Sequence, residues 1–333
     1  MQLTSLRDRR FRLKTVRWFV LPAVVLATFC ALSIPELQAA PGTGTLYGTD
    51  AFNGNLITID PATGAASVVG PLGAGPIPSL AVDPLTGIIY AGGGGGIPDI
   101  FTVDPATGAA TFVGDTGLGI AAVEGLDFNA AGTLYASVNI AGSGGTGADH
   151  LAIINKATGA ATVVGPYGSC TGVTIPSTAG GSCTIEGMAG IAFDAAGNLW
   201  GSHRVGAAGA VGLYRINVAT GAATFVAPFL DGSGGSPSGG VVSLQFACNG
   251  TLYGGTAFPV SPATDGGNLI TIDPATGTFF TIGNAVQDAS LGALAFQTAC
   301  AVRIPAASGG VTILLALLFA ASLAWMISKK RVA

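Results

Sequence analysis

The sequence predicts an all-β chain folded as a five-bladed β-propeller, and three observations carry that prediction. A unit made of a G-T-L-Y-like strand, an L-I-T-I-D-P-A-T-G-A-A-T-V-V-G-like hairpin and an L-A-F-D-like strand recurs between Gly44 and Cys300, with its hairpin turns at 60–64, 104–108, 155–159, 217–221 and 273–277. Spacings of roughly 43 to 65 residues leave room for four short strands per unit, as a blade requires, since one blade cannot bury both its faces alone. The ends are complementary. The first unit opens at Gly44 without an L-A-F-D strand, and the last such strand, 294–297, has no G-T-L-Y strand after it. Joined in one sheet, the two fragments complete blade 1 and close a ring.

Taken in chain order, residues 1–40 read as a secretory signal peptide. Arg7, Arg9, Arg10, Arg12, Lys14 and Arg17 form the basic region, 18–32 the apolar run, and Ala39 and Ala40 the small residues near the cut. Residues 41–302 are the propeller. Strand A of each blade is the L-A-F-D element, at 80–83, 126–129, 191–194, 244–247 and 294–297. Strand B is the G-T-L-Y element, at 44–47, 87–90, 132–135, 197–200 and 250–253. Strands C and D flank the D-P-A-T-G turn, in which Asp and Thr bond nearby backbone, Pro fixes φ and Gly supplies a positive φ. Residues 303–333 are a sorting or anchor segment: a transmembrane helix at 311–328, then the basic tail Lys329-Lys330-Arg331, which places that end in the cytoplasm and the propeller on the far side.

The A-to-D order resembles the repeats of NHL and YVTN-type propellers, a likeness that implies a fold and not a chemistry. The tail resembles the C-terminal sorting signals of the exosortase system, of PEP and IPTL type, found on exported proteins of Gram-negative bacteria. The residues that carry it are Ile304-Pro305, the single helix and the basic cluster 329–331, and the sequence departs from I-P-T-L at Ala306-Ala307. This resemblance implies a sorting transpeptidase as a partner and removal of the helix; without it the helix is a membrane anchor. The expected location is therefore outside the cytoplasm, anchored at the inner membrane facing the periplasm, or processed to the cell surface or extracellular matrix.

Charge and cysteine content fit that address. The formal charge is −4, yet ten of the thirteen basic residues lie in the end segments, and the body holds only Lys156, Arg204 and Arg215 against fifteen acidic residues, a balance of −12. Such a body excludes nucleic acid as a partner and favours cations or cationic partners. Without Cys30 in the signal, four cysteines remain, an even number for an oxidising compartment. They allow three pairings, of which the repeat geometry favours Cys170 with Cys183 and Cys248 with Cys300. No metal-ligand spacing is present, so no cofactor is expected beyond a divalent cation in the channel.

Tight A–B and C–D turns fall on one end of the ring, and the B–C and D–A connections, variable in length, fall on the other. Binding residues concentrate on loops held by a rigid scaffold, so the variable end is the candidate functional face. It is expected to carry His150 in the loop 137–150, His203 and Arg204 in the loop 201–211, and the insertion 170–183. Glu124 and Glu186, the only glutamates of the body, precede inner strands in successive repeats and so belong at the channel mouth. Together these five residues are the candidate ligand site, and no catalytic residue is assigned. The reading they support is an exported or surface-displayed binding module of the bacterial envelope or matrix, for an unknown extracellular ligand. An alternative makes the two glutamates the acid/base pair of a lyase or glycan-active hydrolase. A third is a purely structural coat or biofilm component.

Overall fold

The computed structural model describes residues 44–51, 53–119, 122–140, 149–168, 185, 187–203, 211–237, 239–257, 266–287 and 289–297. The chain divides into 1–40 and 41–333, and the described residues all belong to the second unit. The predicted signal peptide, the helix 311–328 and the basic tail lie outside them. Among the described residues no helix is long and apolar enough to cross a membrane.

Among the described residues twenty strands form five four-stranded antiparallel sheets, so the all-β five-bladed propeller is the observed fold. Blade 1 contains β20 (Leu291–Phe296), β1 (Leu46–Asp50), β2 (Asn55–Ile59) and β3 (Ala66–Pro71), in that spatial order. Blade 2 runs through β4 (Ser79–Val82), β5 (Ile89–Gly92), β6 (Asp99–Val103) and β7 (Ala110–Asp115); blade 3 through β8 (Ala122–Phe128), β9 (Leu134–Asn139), β10 (Asp149–Ile154) and β11 (Ala161–Pro166). Blade 4 holds β12 (Met188–Phe193), β13 (Leu199–His203), β14 (Gly212–Ile216) and β15 (Ala223–Pro228), and blade 5 holds β16 (Val241–Phe246), β17 (Leu252–Thr256), β18 (Asn268–Ile272) and β19 (Phe279–Asn284). The innermost strands β20, β4, β8, β12 and β16 contact one another in a closed circuit. Closure is the one expected from the ends of the repeat: Leu46 pairs with Phe296 and Gly48 with Leu294, and Gln297 donates its amide to the Thr45 carbonyl at 2.9 Å. Pairing the two chain ends in one sheet removes the two strand edges that an open array would expose.

Burial grades from axis to rim. β1, β5, β9, β13 and β20 are buried at every residue, whereas the outer strands β3, β7 and β11 alternate with exposed positions such as Val68 and Phe112. Aromatic side chains fill the wedges between neighbouring blades. Tyr90 meets Phe128 edge-on at 5.7 Å, Tyr135 meets Phe193 at 5.3 Å, and Tyr253 meets Phe296 at 5.7 Å, each pair uniting strand B of one blade with strand A of the next. Offset or edge geometries of this kind add to plain area burial.

The D-P-A-T-G turns do more than reverse the chain. In each, the first side chain accepts the amide two residues on, as Asp60 does from Ala62 at 2.9 Å and Asn155 from Ala157 at 2.9 Å, and the closing glycine takes a positive φ. That glycine then lies against the outer strand of the preceding blade: Gly108 against Gly70, Gly159 against Gly114, Gly221 against Gly165, and Gly64 against Gly283. Two backbones touch at the rim of four of the five seams because neither residue has a Cβ. A Cβ on Gly114 would overlap the Thr158 carbonyl, whereas one on Gly232 would meet nothing within 4 Å. Gly114→Ala should therefore lower unfolding stability by about 3 kcal/mol or more, as overpacking against fixed backbone does, while Gly232→Ala should stay within about 0.5 kcal/mol of the parent. Chemical denaturation of the two variants side by side checks this.

Candidate functional site

Blades 2, 3 and 5 bring three residues each to the axis, and blades 4 and 1 bring two. Leu80, Leu126, Ile191, Leu244 and Leu294 occupy one equivalent position, and Ser79, Gly125, Gly190, Ser243 and Ala293 the one before it. The space they leave is about 10 Å³, roughly what one water molecule needs. An aliphatic ring of full-sized side chains has closed the axis.

Just above the small ring four of the five inner strands bulge. In β8 the bulged residue is Glu124, which falls between the pairs Val123↔Val138 and Gly125↔Ser137. A bulge turns a side chain out of the ladder's alternation, and Glu124 thereby lines the channel with Pro78 and Val242, half-exposed. Glu186 and Arg204 lie outside the described residues, so the expected carboxylate pair has one observed member. The two histidines are not loop residues, and both expectations are corrected. His203 is the last residue of β13, opposite Met188, fully buried with its ring 6.1 Å from that of Tyr214. His150 is the second residue of β10, paired with Val138 and Pro166. Strands B and C extend farther toward the variable face than their motifs, and carry these residues with them. Among the described residues no three of His, Cys, Asp and Glu group as metal ligands. Cys248 is disulfide-bonded, and Cys170, Cys183 and Cys300 lie outside the described residues.

Four hydroxyls join neighbouring blades around the axis. Thr49 donates to the Ile77 carbonyl at 2.9 Å, Ser79 to Val123 at 2.7 Å, Ser137 to Met188 at 2.6 Å and Ser243 to Leu291 at 2.9 Å. Every acceptor lies three residues before the axial Leu or Ile of the next blade. The hydroxyl comes from strand A in blades 2 and 5 and from strand B in blades 1 and 3, and the residue paired with it is always Gly or Ala: Gly92, Gly255, Ala293 and Gly125. Each cross-strand pair has room for one hydroxyl. In blade 4, Ser202 bonds instead to Gly190 of its own sheet.

Blade 3 holds two buried carboxyls that the motif reading passed over. Asp127 takes a position that is Ala81, Ala192, Gln245 and Ala295 in the other blades. Its Oδ2 accepts the Phe193 amide of blade 4 at 2.6 Å, and burial pushes its pKa up to about 7 against the pull of the Phe193 and Phe128 amides. An Asp where other repeats place Ala was the available signal. Asp149, at the other end of the same seam, accepts the Met188 amide at 2.7 Å. Beside it and Ser137 lies the Tyr167 hydroxyl, whose pKa burial raises.

The basic side chains are engaged on the opposite face. Lys156 reaches from a blade 3 turn to the buried Asp83 of blade 2 at 2.7 Å, with its ammonium 5.4 Å from the Phe128 ring. Burial alone would raise the Asp83 pKa, and the Lys156 and Leu85 donors bring it below the ordinary value. Arg215 lies over Trp200 at 4.4 Å, with Asp194 at 3.9 Å. On the variable face the described surface contains a depression of about 420 Å³ between blades 1 and 2, lined by Ala51, Asn53, Gly54, Pro71, Gly73 and neighbouring residues, none of them titratable.

No protein-family model matches the chain, and no curated protein emerges as a relative. Among solved structures it is similar to a gluconolactonase from Xanthomonas campestris, at 13% identity over 74% of this chain and 73% of that one, with a TM-score of 0.45. It is similar also to a chain of a nidogen/laminin complex, at 14% identity over 78% and 83%, TM-score 0.44. Regucalcin, a calcium-binding protein from Agrobacterium tumefaciens, follows at 17% identity over 73% and 70%, TM-score 0.43. Likenesses this distant carry nothing about the chemistry of the present chain.

The hydroxyl bridges give a direct test of how the axis is held. Ser79→Ala and Ser137→Ala should each cost about 1 to 3 kcal/mol, because each strands a buried carbonyl. Urea unfolding would measure both losses, and values near zero would show that the bridges do not hold the seams.

Proposed function

We propose that this protein is an exported β-propeller that binds an extracellular partner through its variable face, as an interaction module of the bacterial envelope or matrix. The observation that supports this reading over an axial enzyme is the closed axis, with about 10 Å³ free. A substrate the size of a sugar or lactone has no place there, and Glu124 stands alone among the described residues as an axial carboxylate. The depression between blades 1 and 2 offers backbone, proline and one Asn side chain, a lining suited to contact and not to proton transfer.

The reading is tested by sedimenting the protein with isolated extracellular matrix. Pro71→Trp, which fills the depression, should reduce the bound fraction at least several-fold, and Glu124→Gln should leave it unchanged. Turnover of a lactone or oligosaccharide panel by the parent, lost in Glu124→Gln, would replace the binding reading with the enzymatic one.

We place the propeller outside the cytoplasm, with the tail 303–333 either anchoring it or removed near Ile304-Pro305, and we pair Cys170 with Cys183 and Cys248 with Cys300. Support for the first pair comes from the base of the insertion, where Ile185 donates its amide to the Gly168 carbonyl at 2.9 Å. Non-reducing peptide mapping of the exported protein should recover both bridges, and free thiols would refute them. Intact-mass analysis of membrane and extracellular fractions should find the tail absent from the released form. A full-length C-terminus confined to the membrane fraction would leave a plain anchor.

A further inference from the structure

We propose that the seam between blades 3 and 4 is a pH-sensitive joint, held closed by the neutral Asp127 carboxyl and loosened when that carboxyl ionises. The geometry sets this seam apart. The hydroxyl bonds at the other seams run to a carbonyl and involve no ionisable group. At this seam Asp127 accepts the Phe193 amide at one end of β12, and Asp149 accepts the Met188 amide at the other. Asp127 is buried, lies directly opposite Tyr135 in β9, and borders the Tyr135–Phe193 ring pair. Among the described residues no cation forms an ion pair with it. The elements packed against β8 are β4, β5, β9 and β12, and their only titratable side chains are Tyr90 and Tyr135. At their turns Asp83 is paired with Lys156, and Asp194 is bonded to Trp200 and Asn198 with Arg215 at 3.9 Å. The remaining acid of β8 is Glu124, at the channel end. An ionised Asp127 therefore places a charge between two aromatic rings with backbone amides as its sole compensation, and such a charge is costly to bury.

The joint frames the variable face. Tyr167 donates its amide to the Asp149 carbonyl at 3.1 Å, and Asp149 donates its own to Ile185 at 3.3 Å, so the residues on either side of the insertion are bonded to the same seam. The direction of the effect follows from burial. The folded state holds the Asp127 proton to about pH 7, whereas the unfolded chain releases it near the ordinary value, so the stabilisation is complete below pH 4, declines as pH rises and is gone above about pH 8.

Urea unfolding of the full chain between pH 5 and pH 8, in parallel with Asp127→Asn, tests the proposal. The folded-to-unfolded ratio of the parent should fall on the order of 100-fold across that range. The Asn variant should match the parent at pH 5, stay nearly level, and exceed it at pH 8. Parallel curves for the two proteins would overturn the proposal. Should Asp127→Asn fail to fold, hydrogen exchange of the parent decides, with rates corrected for the intrinsic effect of pH. Protection of the peptide containing 188–193 should drop at least tenfold more than that of 291–296, and an equal change at both would overturn it.

Discussion

Everything in this fold depends on how little room five inner strands leave around their axis. Ten strand segments, an A and a B from each blade, crowd the centre, and each A–B pair accommodates one small polar side chain opposite Gly or Ala. A Cβ on Gly92 would lie 2.5 Å from Ser79 Oγ, and one on Gly255 would overlap Ser243. In four of the five blades the single hydroxyl that does fit bonds a carbonyl of the next blade, and in each blade a Leu or Ile follows the small residue of strand A at the channel. The same crowding recurs at the rim, where glycine backbones of adjacent blades touch. A chain with 53 glycines and 9% charged residues is thus close-packed, and its glycines stand where backbones meet.

That constraint also bears on the proposed function. Among the described residues the axis leaves about 10 Å³ beside Leu80 and Leu294, the short A–B and C–D turns are occupied by their own hydrogen bonds, and Lys156 and Arg215 are held by Asp83, Asp194 and aromatic rings. The proposed binding face is therefore the variable one, with the depression beside Pro71 and the base of the insertion at Gly168 and Ile185. Blade 3 departs most from the common blade. It supplies Glu124 to the axis, Asp127 and Asp149 to its seam, and the strand that carries His150. At the positions of Glu124, Asp127 and Asp149 the other blades carry uncharged residues, so these acids mark what the scaffold does not require.

Blade count, strand order, turns and ring closure were all legible in the sequence, because the D-P-A-T-G turn and the G-T-L-Y strand are local motifs whose chemistry survives repetition. The unmatched strand at each end was a direct statement of closure. Strand limits on the variable side were not legible. Inner strands are buried on both faces, so the period-two signal that bounds a strand fades, and Gly201-Ser202-His203 read as loop when it is the end of β13. The seam partners were hidden for a different reason. Which carbonyl Ser79 or Asp127 meets is set by the stagger between blades, a tertiary quantity, although the alternation of Ser and Gly between strands A and B was present in the letters. Glu186, Arg204 and three of the four cysteines beyond residue 40 fall outside the described residues, so that part of the expected site rests on sequence.

The central claim, that each A–B pair has room for one hydroxyl and needs one, is tested most directly by moving it. Blade 2 carries Ser79 opposite Gly92, and blade 3 carries the reverse, Gly125 opposite Ser137. Denaturant unfolding of Ser79→Gly, Gly92→Ser and the double variant forms a double-mutant cycle. Each single change should destabilise, the first by removing the bond and the second by crowding Ser79 Oγ and the Val123 side chain, each 2.5 Å from the added Cβ, and the double variant, which relieves the contact with Ser79, should be more stable than the two losses summed. Losses that simply add in the double variant would contradict the account.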